Sequence, residues 1–116
     1  MAAGTNNITI EKRATFSTTL TIKNEDGSAF DLTGASLSSQ IRKDYSNALQ
    51  ANFLITVVGD ASQGVITFSL TKDQTAALYT AASSYDIFVD NADGTSDKLI
   101  KGSVTIVENE TEWAYL

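Results

Sequence analysis

A chain of 116 residues with 14 acidic and 8 basic side chains, net −6 at pH 7, has room for one domain and lacks the basic footprint that phosphate backbones require. Cys, His and Pro are all missing from it. Their absence excludes disulfides, thiol nucleophiles, Cys/His zinc sites and every His-dependent catalytic triad.

Surface scaling at this length predicts that roughly two thirds of the unfolded chain's surface is buried on folding, so a core forms without covalent staples. The opening Met1-Ala2-Ala3-Gly4-Thr5-Asn6-Asn7 has neither the positive nor the apolar region of an export signal. No run approaches the roughly 18 apolar residues of a membrane span. A soluble product, made in the cytoplasm and not inserted into membrane, is expected. The N-x-Thr triplets at Asn7 and Asn109 would matter only in a secretory pathway that this N-terminus does not enter.

Ser and Thr make up about a quarter of the residues, and together with Val and Ile they suit a pleated, half-buried surface. Residues 1–6 are expected to form a flexible N-terminus. Ile8 and Ile10 mark a short first strand. Over residues 14–23, Phe16, Leu20 and Ile22 share one face with Thr18, while Thr15, Ser17, Thr19 and Thr21 take the other. Asn24-Glu25-Asp26-Gly27 and Asp31-Leu32-Thr33-Gly34 are turns, with Phe30 and Leu32 plugging the end of the core. Residues 35–43 form a third strand with Leu37 and Ile41 inward. Residues 44–50 break the alternation and predict a loop or irregular crossover. Residues 52–58 alternate Phe53, Ile55 and Val57 against Leu54, Thr56 and Val58, which predicts a partly covered second face.

Residues 65–70 form a fifth strand with Ile66, Phe68 and Leu70 inward. Thr71-Lys72-Asp73-Gln74 fits a capping box, so a short helix is predicted over residues 72–81 with Leu78 inward, capping one end of the sheet. Tyr85, Ile87 and Val89 alternate with Asp86, Phe88 and Asp90 in a sixth strand. Asn91-Ala92-Asp93-Gly94 is a hairpin turn. Residues 98–107 complete the set with Ile100, Val104 and Ile106 inward, and Gly102 there signals a bulge or a close backbone approach. Seven strands at roughly 8–12-residue spacing, with one short helix between the fifth and sixth, predict an all-β antiparallel sandwich. Tyr85 opens the sixth strand, where a hydroxyl bond back to the corner between strands five and six is one expectation and an ordinary half-buried Tyr the other.

Phosphate-cradling, zinc-protease and nucleophile-elbow motifs are all missing. Neither Asp-Gly pair has the Asp five residues upstream that an EF-hand needs, since Ile22 and Val89 stand there. Asp90, Asp93 and Asp97 are the residues that could gather into a weak calcium loop. Asp86, the acid within a strongly apolar strand, reads as an outward residue or a hydrogen-bond partner. No catalysis and no cofactor is expected. Residues 108–116 follow none of the earlier patterns: three acids precede Trp113, Tyr115 and Leu116. Such side chains either fold back onto the sandwich or anchor a neighbouring subunit, and unpaired sheet edges offer a second route to a partner.

The run Ile8-Thr9-Ile10-Glu11-Lys12-Arg13-Ala14-Thr15-Phe16, then Asp26-Gly27, Asp31-Leu32-Thr33-Gly34-Ala35 and Gln40-Ile41-Arg42, resembles the small immunoglobulin-like domains of tailed-bacteriophage virion proteins. Later pieces agree in order: Gly64-Val65-Ile66-Thr67-Phe68-Ser69-Leu70-Thr71, the helix with Thr75 and Leu78, Tyr85-Asp86-Ile87, and Lys101-Gly102-Ser103-Val104. The layout over residues 7–107 is similar to the N-terminal domain of baseplate upper proteins. The resemblance implies an immunoglobulin-like sandwich in the virion, working by docking in multiple copies, with other virion proteins and copies of itself as partners. Those baseplate proteins continue into a fibre or receptor-binding region. With the sequence stopping at Leu116, the expectation shifts to an adaptor, tail, neck, baseplate or capsid-decorating subunit. A carbohydrate-binding module, using Tyr45, Tyr79, Trp113 or Tyr115, is the second expectation.

Overall fold

The alternation of branched and hydroxyl side chains produces strands throughout the computed structural model, which describes residues 4–108. In chain order these are β1 (Gly4–Thr5), β2 (Ile8–Glu11), β3 (Phe16–Thr21), β4 (Ser36–Lys43), β5 (Leu49–Asn52), β6 (Leu54–Val57), β7 (Val65–Leu70), β8 (Ser83–Asp90) and β9 (Ser96–Val107). A 3-10 turn, Ala61–Gln63, precedes β7, and the helix α1 (Lys72–Ala76) follows it. The larger sheet runs β1-β9-β8-β4-β5, with β2 following β1 along the same side of β9; the smaller runs β3-β7-β6. Both β1 and β2 pair parallel to β9, while the remaining pairs are antiparallel.

One core joins the two sheets. Ile10, Ile41, Ile66, Phe68, Ile87 and Val89 are fully buried in it, as alternation predicts for Ile66, Phe68, Ile87 and Val89. Phe68 of β7 stacks on Tyr85 of β8 across the gap, with ring centroids 5.7 Å apart, and meets Phe53 edge-on at 5.0 Å. Offset and edge contacts of this kind contribute about 0.5–1.5 kcal/mol beyond area burial. The fold is therefore an all-β sandwich.

Several expectations are corrected. There are nine strands among the described residues where seven were expected. Residues 4–5, assigned to a flexible N-terminus, form β1, because Asn6 N–H donates to the Lys101 carbonyl at 2.9 Å and holds the segment on β9. Residues 44–50 hold a turn and the start of β5, since Lys43 N–H donates to the Ala48 carbonyl at 2.9 Å and reverses the chain. The chain then changes sheet at Phe53. Leu54 and Val58 are exposed, so no described residue covers the second face of β6.

The capping box forms as read: Gln74 N–H donates to Thr71 Oγ1 at 3.2 Å, and Thr71 N–H to Gln74 Oε1 at 2.9 Å. The helix nevertheless ends at Ala76, because the Tyr79 N–H donates to Gln50 Oε1 at 2.7 Å instead of extending the helix. Leu78 is still buried.

Four turns share one device, in which an Asp accepts from the residue two positions on. Asp26 accepts from Ser28 N–H (2.9 Å) and its hydroxyl (2.6 Å), and Asp93 from Thr95 N–H (3.0 Å) and its hydroxyl (2.6 Å). Asp31 with Thr33 and Asp60 with Ser62 repeat it. These bonds favour the ionised form and hold all four carboxyls below their ordinary 3.8. A carboxylate depressed in the folded state contributes stability that is full above the unfolded value and lost as pH falls through the folded one. The thermal midpoint should therefore drop between about pH 6 and about pH 3, and drop less in Asp93→Asn. Equal drops in the two proteins would contradict this role.

Candidate functional site

Trp113, Tyr115 and Leu116 lie outside the described residues. The last described residue, Glu108, is held at the end of β9: Lys12 Nζ approaches its carboxylate at 3.6 Å and the Thr80 hydroxyl donates to it. The Thr80 hydroxyl, then Lys12, keep the Glu108 carboxyl below its usual range. The other residues singled out by sequence are scattered. Tyr45 and Tyr79 are both exposed, and the Tyr79 ring face is occupied by the Lys43 ammonium, 3.9 Å from its centroid. Asp90 accepts from the Ser96 hydroxyl, Asp93 from Thr95, and Asp97 from Asn91. Among the described residues no three Asp or Glu side chains converge as a metal site.

Tyr85 is tied down, though not to the corner between β7 and β8. Its hydroxyl donates to the Asn6 carbonyl at 2.6 Å and accepts from Asn6 Nδ2 at 3.1 Å. Tyr85 sits opposite Gly102 on β9, and its ring passes close beneath that residue to reach the edge strand. The close approach expected at Gly102 is thus found, while the bulge lies two to three residues earlier. Burial pushes the phenol above its ordinary 10.0, against the Asn6 bond that lowers it.

The outer face of the larger sheet forms a groove of about 760 Å³. Pairing across β4, β8 and β9 sets out three rows of outward side chains: Arg42, Ser84 and Ser103; Gln40, Asp86 and Lys101; Ser38, Phe88 and Lys98. At one end the polar groups are linked. Gln40 Nε2 donates to Asn52 Oδ1 at 3.0 Å, Arg42 Nη2 to Gln40 Oε1 at 2.9 Å, and Arg42 Nη1 to the Asn47 carbonyl at 2.9 Å. At the other end Lys98 lies 3.9 Å from Asp86 and 5.5 Å from the centroid of the Phe88 ring, which is partly exposed.

Arg42, Lys98 and Lys101 thus outnumber Asp86 on this surface of a chain whose net charge is −6. The register behind the cluster is irregular. A one-residue bulge on β9 pairs Ile87 with Ile100 and Phe88 with Lys98, leaving Leu99 over. Leu99 turns into the core, Ile100 packs against it, and Lys98 and Lys101 both face outward. Strict alternation would place those two lysines on opposite faces. Hydrogen-bonded amides, a guanidinium, two ammonium groups and a phenyl ring equip this surface to hold an anionic ligand. Comparison with protein-family models and with curated proteins gives no match for this chain.

Proposed function

We propose that this chain is a non-enzymatic structural subunit of a tailed-bacteriophage virion, an immunoglobulin-like sandwich that docks other virion proteins and copies of itself. The strand order supports the immunoglobulin-like part of the reading, and the virion role rests on the resemblance of the sequence. Immunoglobulin-like sandwiches place strands B, E and D in one sheet and C, F and G in the other, with C′ beside C in variable-type domains. Here β3-β7-β6 correspond to the first set and β9-β8-β4-β5 to the second, and β1 and β2 lie beside β9. The runs that carry the resemblance lie on strands of this chain, residues 8–16 leading from β2 into β3 and residues 64–71 containing β7.

Trp113, Tyr115 and Leu116 anchor the subunit to its neighbour, each contributing about 1.5–3 kcal/mol if fully covered. Multiple copies multiply that effect. Deleting residues 108–116 is expected to lower incorporation into particles, measured by quantitative mass spectrometry of purified virions, with the thermal midpoint nearly unchanged. Undiminished incorporation would refute the docking role.

A further inference from the structure

We propose that the outer groove of the larger sheet binds a short acidic saccharide, a carboxylated sugar chain lying across the strands. The inference is independent of the docking reading above, because residues 108–116 take no part in it. Its first support is a row of polar side chains set by the register. Asn52 pairs with Gln40, Gln40 with Asp86 and Asp86 with Lys101, so the four stand side by side on β5, β4, β8 and β9. At about 4.8 Å between neighbouring strands the row runs for about 14 Å, a length that suits a few linked sugar rings. Arg42 flanks the row on one side and Phe88 on the other, each about 6.8 Å along its strand.

The second support is what these groups donate and accept. Arg42 is held by Gln40 Oε1 and by the Asn47 carbonyl, both at 2.9 Å, and these neutral acceptors leave its charge unneutralised. Among the described residues no carboxylate lies within ion-pair distance of Arg42 or Lys101, so each offers its charge to a sugar carboxylate. Asp86 stands between them. Toward a chain of phosphates or an acidic peptide it sets like charge in the middle of the row. Toward a sugar it is an acceptor, because a carboxylate offers about four lone-pair positions and a hydroxyl donates as well as accepts. Lys98, 3.9 Å from Asp86 Oδ2, takes up only part of that capacity. The amides of Gln40 and Asn52, joined at 3.0 Å, add donors and acceptors that are fixed before a ligand arrives. Phe88, 37 % exposed with Lys98 beside it, gives ring surface to the C–H face of a sugar. Tyr45 and Tyr79, the described aromatics that the sequence put forward for sugar binding, do not line this groove.

The test is calorimetric titration of the full chain with short oligosaccharides of glucuronate, galacturonate and sialic acid, each beside its carboxyl-reduced copy. At least one acidic member is expected to bind, and its neutral copy about tenfold more weakly. Asp86→Ala decides the chemistry, because it makes the groove more positive. General attraction of anions predicts tighter binding by this variant, whereas a sugar hydroxyl donated to Asp86 predicts binding about fivefold weaker. Phe88→Ala and Lys101→Ala are expected to weaken binding by a similar factor and Tyr45→Ala to leave it unchanged, all with nearly unchanged thermal midpoints. No binding of any acidic member at millimolar concentration, tighter binding by Asp86→Ala, unchanged binding by Phe88→Ala or Lys101→Ala, or a tetraglutamate peptide held as tightly as the best saccharide would each overturn the assignment. Because residues 108–116 lie outside this site, each of those outcomes leaves the docking reading standing.

Discussion

Replacing Phe68 by Ala is expected to cost about 3–5 kcal/mol of folding stability. The ring is fully buried and touches Phe16, Phe53 and Tyr85, so its removal strips contacts from both sheets together. Against a total of about 5–15 kcal/mol for an ordinary domain, that loss takes a large share of what holds the sandwich closed. Phe88→Ala is the matched control, because its partly exposed ring lies on the outer face and leaves no core cavity. The control should fall within about 1 kcal/mol of wild type by urea denaturation. Equal costs at the two positions would mean that the core is not centred on this aromatic cluster.

Gly102→Ala is the other large effect, about 2–5 kcal/mol when overpacking and a displaced buried hydrogen bond are combined. A methyl group there would lie 2.0 Å from the Asn6 carbonyl oxygen and 3.0 Å from the Tyr85 ring. The first of these is backbone and has no rotamer to escape into. The edge strand must lift, and with it go the Tyr85 hydroxyl bond and the bond from Ser103 N–H to Asn7 Oδ1 at 3.0 Å. A double-mutant cycle separates this from simple crowding. Tyr85→Phe should cost about 1–2 kcal/mol in the wild-type background and close to nothing beside Gly102→Ala. The same cost in both backgrounds would show that the edge strand had not moved.

The inward faces of β7 and β8 are legible because their alternation is unbroken, and Gly102 announces a close approach. Other features depend on interactions that sequence periodicity does not contain. The segment at β5, Leu49-Gln50-Ala51-Asn52, is only four residues long with no large side chain buried, and becomes a strand because β4 lies beside it. Gln50 ends α1 from across the fold, 29 residues away in sequence. In the groove, Gln40, Asp86 and Phe88 occupy outward positions that alternation assigns correctly, but their association with both lysines requires the bulge at Leu99. A signal that was available is the Asp-x-Ser/Thr spacing, which recurs at all four hydrogen-bonded turns.

The reading of this chain as a virion docking subunit is tested most directly by affinity capture from phage-infected cells, using the full chain and a chain ending at Val107, with bound proteins identified by mass spectrometry. The account predicts that capsid, neck, baseplate or tail proteins are captured by the full chain and lost with the truncation. Capture of no virion protein by either chain would contradict it.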